Sequence, residues 1–339
     1  YSFNDDIPLL VDANINTIRT YAAITNVAEL NAFANAGIKV IIMLNENSYT
    51  WYVNQFKDHP AILMWEFGNE FNYHPEWFNN NIQNWYNVLE NCAATVKSLD
   101  PNHPVSTGHG EVPDSQALNS CPSVDVWGMN IYRWLGPDSA IDELAAVTDK
   151  AMYISEAGAD SFNINSNSEN ESQQAQATEI ILNAIIAKSD LCIGVTLFEF
   201  CDEWWKAGNP NQQDPGGFSN AIPYDNFANE EYWGIVTQDR EPKLSYYVVQ
   251  EIYEATSLSL NDNFLDINIY PNPVSDGFLN IVSNSDNPLN ISIYDLNGRE
   301  VISQKIIFDS IDISSLSQGI YSLILSEGKK STTKKIVVK

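Results

Sequence analysis

Two glutamates in this chain each close an apolar run. "AILMWEFGNEF" (61–71) runs through Asn69 to Glu70, and "AMYISEAG" (151–158) runs to Glu156. Apolar runs of this length read as buried strands, so each carboxylate is lifted out of a core where a strand stops. A neutral carboxylic acid can protonate a departing oxygen, and an ionised one can attack or stabilise the carbon left behind. Cleavage of a glycosidic bond needs both, because its oxygen leaves poorly without a proton. Other groups suited to such a site also sit near strand ends: Arg19 in "NTIRTY", His109 in "PVSTGH", and Asn130 and Tyr132 in "VDVWGMNIY". Arg19 and Tyr132 could hold one glutamate ionised, while apolar walls and the negative partner raise the pKa of the other. Trp204 and Trp205, beyond "IGVTLFEF" (193–200), offer flat faces on which a sugar ring could stack.

Positioning these groups is the work of a repeating pattern. Seven apolar runs, at 16–21, 38–44, 61–67, 104–109, 124–132, 151–158 and 193–200, alternate with amphipathic stretches through residue 255. The stretches between, such as 27–36, 77–99 and 171–188, read as helices. Strands rich in Ile, Val, Leu and aromatics that alternate with helices make a parallel sheet covered on both faces. Seven such units in one domain favour a closed (β/α)8 TIM barrel over an open sheet, and no glycine-rich GxGxxG turn follows any strand. In that barrel the C-terminal strand ends form the site face. Eight strands are expected and seven are found. The segment "YSFNDDIPLLVDAN" (1–14) reads as the first helix, so the first strand is expected to have been lost by truncation. Glu66, inside its run, is expected to turn towards the helices.

The barrel domain is assigned to residues 1–256 and a linker to 257–264. Residues 265–339 then change to short alternating strands between Pro-Asn-Pro, Ser-Asp-Gly, Asn-Gly and Gln-Gly turns, the pattern of a small antiparallel sandwich. Its Asn-Gly at 297–298 marks a hairpin.

Composition narrows the function classes. A net charge of −27, from 17 basic and 44 acidic residues, repels phosphate backbones and argues against nucleic-acid binding. No apolar stretch reaches the roughly 18 residues of a membrane span. Cys92, Cys121, Cys192 and Cys201 lack CxxC or His-interleaved spacing, so no metal centre is expected. A Cys92–Cys121 disulfide and buried thiols both remain open. His59 and His103 precede prolines at strand entries and read as structural. The loop 202–218 could take a calcium ion through Asp202 or Asp214, with solvent exposure the default. The chemistry proposed for the two glutamates requires no cofactor.

The ordered segments "TIRTY", "HPAILMWEFGNE", "LDPNHPVSTG", "WGMNIYR", "YISEAGAD" and "FEFCDEWWK" resemble clan A glycoside hydrolases over roughly residues 5–255. The likeness is nearest to the family 2-type catalytic barrel and its β-glucan-active relatives. It implies that Glu70 is the acid/base and Glu156 the nucleophile of a retaining double displacement. It also implies that Asn69 binds a sugar 2-hydroxyl, that Arg19 and Tyr132 orient Glu156, and that the substrate is a carbohydrate, β-1,3-glucan among the candidates. Residues 265–339, through "IYPNPVSDGFLNI", "IYDLNGREV" and "LSQGIYSLIL", resemble the C-terminal sorting domain of the type IX secretion system. That implies export by the type IX machinery of Bacteroidetes-type bacteria, to the cell surface or beyond. A transglycosylase would use the same two carboxylates, and a carbohydrate-binding protein on a decayed barrel would keep only the aromatic loops.

Overall fold

The computed structural model describes residues 2–206, 217–262, 267–275, 277–283, 287–295, 298–306, 309–327 and 330–339. They form two compact units, Tyr1–Tyr253 and Glu254–Lys339.

In the first unit α1 (Phe3–Asp12) leads into β1 (Thr17–Thr20), followed by α2 (Val27–Asn35), β2 (Lys39–Leu44), α3 (Tyr49–Phe56) and β3 (Ile62–Asn69). Next come α4 (Ile82–Leu99), β4 (Val105–Gly110), α5 (Ser115–Ser120), β5 (Val126–Asn130), α6 (Asp138–Ala145) and β6 (Ala151–Glu156). A short hairpin of β7 (Phe162–Asn163) and β8 (Ser168–Glu169) precedes α7 (Glu171–Ile186) and β9 (Cys192–Val195). A second short pair, β10 (Gly217–Phe218) and β11 (Phe227–Ala228), precedes α8 (Leu244–Asp262). Seven strands pair in parallel in the order β1-β2-β3-β4-β5-β6-β9, the order of a partial (β/α)8 barrel.

Two cores line the two faces of the sheet. The larger lies between sheet and helices. Leu30 and Phe33 of α2, Val53 and Phe56 of α3, and Trp85, Leu89, Ala93 and Val96 of α4 pack on Trp65, Phe67, Trp127 and Met129. The α4 residues recur at helical spacing, so one face of that helix is apolar while Asn81 caps its start by accepting from Gln83 N (3.1 Å). The smaller core, Ile41, Met64, Val126 and Tyr153, fills the concave side of the sheet.

The sheet ends at β1 and β9. Beside them Ala13, Leu182, Ile235, Val236, Tyr246 and Val249 form a further cluster on which Ile15 and Val195 pack. Helix α8 and the loop before it are tied there to α1: Tyr246 donates to Leu9 O (2.8 Å) and Asp12 Oδ2 (2.9 Å), and Arg240 in the loop pairs with Asp6 (2.7 Å).

Two sequence expectations change, and one left open is decided. Residues 257–262, assigned to a linker, continue α8; the Ser-Leu-Ser-Leu there carries neither proline nor glycine to stop a helix. Asp202 is not a solvent-exposed loop residue or a free calcium ligand. It is 2% exposed, paired with the buried Lys243 (2.7 Å) and accepting from Gly234 N (3.0 Å); Asp214 lies outside the described residues. All four cysteines are free thiols, with Cys92, Cys121 and Cys192 buried.

The second unit is antiparallel. β12 (Ile267–Tyr270), β13 (Phe278–Ser283) and β16 (Asp309–Asp312) form one sheet in the order β12-β13-β16. β14 (Leu289–Tyr294), β15 (Glu300–Ile306), β17 (Gly319–Glu327) and β18 (Lys330–Val338) form another in the order β15-β14-β17-β18. Alternate residues such as Leu289, Ile291 and Ile293 build its core with Leu279, Ile311, Leu323 and Ile336. In the β14–β15 hairpin Gly298 takes a positive φ of 76°; Asn297 of the predicted turn lies outside the described residues.

Candidate active site

Strand β3 delivers its polar residues by a sharp local turn. Gly68 (φ 70°) and Glu70 (φ 55°) are both left-handed and bracket Asn69. A Cβ on Gly68 would lie 2.5 Å from the Trp85 ring, so only glycine lets α4 pack so closely behind the turn. A left-handed glutamate costs roughly 1–3 kcal/mol, a strain of the kind that concentrates at functional positions. Glu70 is anchored by its backbone N–H, which donates to Gly108 O (2.8 Å) on the neighbouring strand.

Arg19 is the hub. Its side chain is 3% exposed and divides its donors among three acceptors on two strands, β3 and β6. Nε donates to Glu66 Oε1 (2.6 Å), Nη1 to Glu156 Oε1 (2.9 Å) and Nη2 to Asn69 Oδ1 (2.8 Å). Burial opposes the charge on the guanidinium, but Glu66 and its other neighbours hold its pKa well above the usual value.

Glu156, the last residue of β6, receives three donors. Besides Arg19, Tyr21 Oη donates to Oε1 (2.6 Å) and Tyr132 Oη to Oε2 (3.0 Å). Burial, then the negative field of Glu156, drives the pKa of both tyrosines upward, so they remain donors. Tyr132 packs edge-on against Trp233 (5.4 Å between centroids) and Phe198 (6.5 Å).

Glu70 sits differently. Asn130 Nδ2 donates to its Oε1 (3.2 Å) and also to Asn69 Oδ1 (3.0 Å), while Ser155 Oγ donates to Asn130 Oδ1 (2.6 Å) and fixes that amide. The Glu70 pKa is raised, first by burial and second by the charge of Glu156, with the Asn130 bond opposing. One carboxyl therefore has three donors and its neighbour is pushed towards the protonated form.

The structure thus brings Arg19, Asn69, Glu70, Asn130, Tyr132 and Glu156 into one bonded network at the C-terminal strand ends. Its floor includes a residue expected elsewhere. Glu66 faces the concave side of the sheet, not the helices, and is fully buried. It accepts from Arg19, from Ser106 Oγ (3.0 Å) and from Tyr153 Oη. Its neighbours Trp65 and Phe67 take the helix side, and period-two alternation sends Glu66 the other way. Tyr21 was missed; its place two residues after Arg19 in "TIRTY" put both on one face of the chain.

Other expected residues lie apart. His109 is buried between Tyr86, whose hydroxyl lies 3.4 Å from Nε2, and Trp127 (5.9 Å between centroids), in the layer between β4 and α4. Burial lowers its pKa. Trp204 packs against Tyr232 (5.2 Å), and Trp205 is 54% exposed. Among the described residues, neither tryptophan is in hydrogen-bond or ring contact with the network around Glu156. Beyond β9, Lys206 pairs with Glu203 (2.9 Å), Glu199 (3.3 Å) and Glu230 (3.5 Å). Glu199 is pushed up to about 9, because burial outweighs a lysine it must share.

Known proteins bear on both units. Residues 268–339 match the family model of the secretion system C-terminal sorting domain. Over 88 residues, 23% of this chain, the sequence is 38% identical to mannan endo-1,4-β-mannosidase F of Aspergillus clavatus, covering 19% of that protein. An FMN-binding β-glucuronidase from Facaelibacterium prausnitzii L2-6 superposes with a TM-score of 0.54 and 19% identity, over 100% of this chain and 53% of its own. A Bacteroides uniformis β-glucuronidase gives 0.57 and 15%, over 99% of this chain and 43% of its own. A family GH2 β-galacturonidase from Eisenbergiella tayi gives 0.55 and 22%, over 75% and 47%. At these identities the structural likeness is one of fold, and the chain spans about half the length of those enzymes. No described helix is long and apolar enough to cross a membrane.

Proposed function

We propose that the barrel is a retaining glycoside hydrolase acting on β-linked sugars, with Glu156 as nucleophile and Glu70 as acid/base. The observation that carries the reading is the unlike surroundings of two carboxyls in one network: three donors converge on Glu156, while burial and the Glu156 charge raise the Glu70 pKa.

In the first step Glu156 attacks the anomeric carbon as the glycosidic bond breaks, and Glu70 gives its proton to the departing oxygen. The product is an ester between Glu156 and the sugar. Glu70, now a carboxylate, takes a proton from water as that water attacks the same carbon and releases Glu156. Arg19, Tyr21 and Tyr132 aim the attacking oxygens and stabilise Glu156 each time it regains its charge. Asn69 has its Oδ1 occupied by Arg19 and Asn130, which leaves its amide N–H groups to donate to a sugar hydroxyl. The fold neighbours named as glycosidases and the mannosidase segment support the class of reaction. The sorting domain marks the chain for type IX export, to the cell surface or beyond, where oligosaccharides and polysaccharides are the accessible substrates.

Glu156→Ala tests this. Turnover of an activated aryl β-glycoside should fall by about a thousandfold or more. Azide should restore it by forming the α-glycosyl azide, the inverted product that a vacant nucleophile position produces. Near-normal turnover, or a β-azide, would remove Glu156 from that role. Glu70→Ala should hurt poor leaving groups far more than activated ones.

A further inference from the structure

A cleft of about 640 Å3 opens beside the carboxylate network, over the C-terminal ends of β1, β2 and β3. That size lies within the ~300–1,000 Å3 of small-molecule sites. Its lining includes Tyr21, Asn45, Ser48, Trp51, Gly68 and Phe71. Two features make it more than a surface hollow. Trp51, on the first turn of α3, is 61% exposed, although tryptophan is among the more buried residue types. Its ring is braced edge-on by Tyr52 (6.3 Å) and Phe56 (6.2 Å), so it is held in place without being covered. Tyr21 belongs to two sites: its ring is half-exposed on the cleft wall and its hydroxyl donates to Glu156. The cleft is therefore continuous with the reacting position.

The lining chemistry selects the occupant. Aromatic rings and neutral amide and hydroxyl groups suit the C–H faces and hydroxyls of a pyranose. Among the described residues of the lining Glu46 is the one acidic residue, and none is lysine, arginine or histidine. Arg19, just beneath, is buried and already engaged by two carboxylates. A uronate entering here would meet no free cation among the described lining residues, in a chain whose net charge is −27.

We propose that this cleft is a sugar-binding subsite adjoining the cleaved bond, built for uncharged hexose units of an oligosaccharide or polysaccharide, with Trp51 as its stacking face. The proposal rests on the glycosidase reading and narrows it to neutral glycans, unlike the uronides named for the fold neighbours.

The test uses the full chain carrying Glu156→Gln, titrated with neutral β-linked pentaoses (gluco-1,3, gluco-1,4 and manno-1,4) and a β-linked uronic acid pentamer. At least one neutral pentaose should bind, and the uronic acid pentamer should bind more weakly. Adding Trp51→Ala should weaken binding about tenfold, and Trp51→Phe should retain most of it. In the otherwise native chain, Trp51→Ala should lower kcat/KM on that pentaose about tenfold more than on the matching aryl monoglycoside. Asn45→Ala, also on the lining, serves as a second variant that should weaken pentaose binding, and circular dichroism verifies folding. Equal losses on both substrates, or tighter binding of the uronic acid pentamer, would overturn the subsite. Binding of a pentaose that ignores Trp51 sinks the subsite alone, whereas neither binding nor turnover of any glycoside sinks the glycosidase reading with it.

Discussion

Arg19 serves two glutamates, and the buried Glu66 holds the guanidinium whose other arm reaches Glu156. Glu66 holds Nε from below while Nη1 reaches Glu156. Glu66→Gln keeps the shape but removes a charge, leaving the guanidinium to drift towards Glu156. We expect kcat to fall about tenfold or more with KM little changed, read from steady-state kinetics beside a melting curve. A loss confined to stability would make Glu66 mere scaffolding. Asn130 tunes the other carboxyl. As the proposed acid, Glu70 serves only while protonated, so activity should be lost as pH rises through its raised pKa. The Asn130 bond favours the ionised form. Asn130→Ala should therefore move the alkaline limb of kcat/KM to higher pH, and an unmoved limb would assign it to another group. The carboxylates and Arg19 were legible in the sequence because each follows or interrupts an apolar run. The inward turn of Glu66 was not, since a run buried on both faces does not mark which face is concave.

At the scale of elements, glycine sets how close the strands can bring their cargo. A Cβ on Gly108 of β4 would lie 2.3 Å from Arg19 Nη2 and 3.1 Å from Asn69 Oδ1. The obstructing atom is the tip of a side chain, so the fold can yield, but only by pulling Arg19 off its partners. Gly108→Ala should lower kcat/KM about a hundredfold while melting within a few degrees of the parent, as measured by calorimetry and initial rates. The reverse pattern, early melting with intact activity in the folded fraction, would mean that the backbone and not Arg19 gives way. All seven long strands were visible as apolar runs between polar loops. The two-residue strands β7, β8, β10 and β11 were not, because nothing so short carries a period. Neither was the meeting of Tyr21 with Glu156, which lie 135 positions apart and are joined only by the curvature of the sheet.

The whole chain carries its charge unevenly, and that has a pH signature. From residue 257 onward seven basic and nine acidic side chains nearly balance, leaving ten against 35 upstream. In this acidic unit Glu199 is an added burden. Unfolded, its carboxyl ionises near 4.5; folded, near 9. Between those values the folded state holds the extra proton, so its contribution makes stability fall as pH rises through that window, with the full loss present above about 9. Glu199→Gln cannot ionise, and its melting temperature relative to the parent should climb from pH 5 to pH 9; a constant difference would mean that Lys206 already neutralises the carboxylate. The sorting unit was legible from its turn residues and alternating strands, whereas the continuation of α8 through 257–262 was not, because serine and leucine suit coil and helix alike. Tyr21 finally links grip to speed. In the proposed subsite one phenol would face the neighbouring sugar with its ring and the proposed nucleophile with its hydroxyl, so a longer glycan should tighten the very hydrogen bond that aims the attack. Chain length would then be felt in turnover as well as in affinity, and a single aryl sugar would understate the proposed activity.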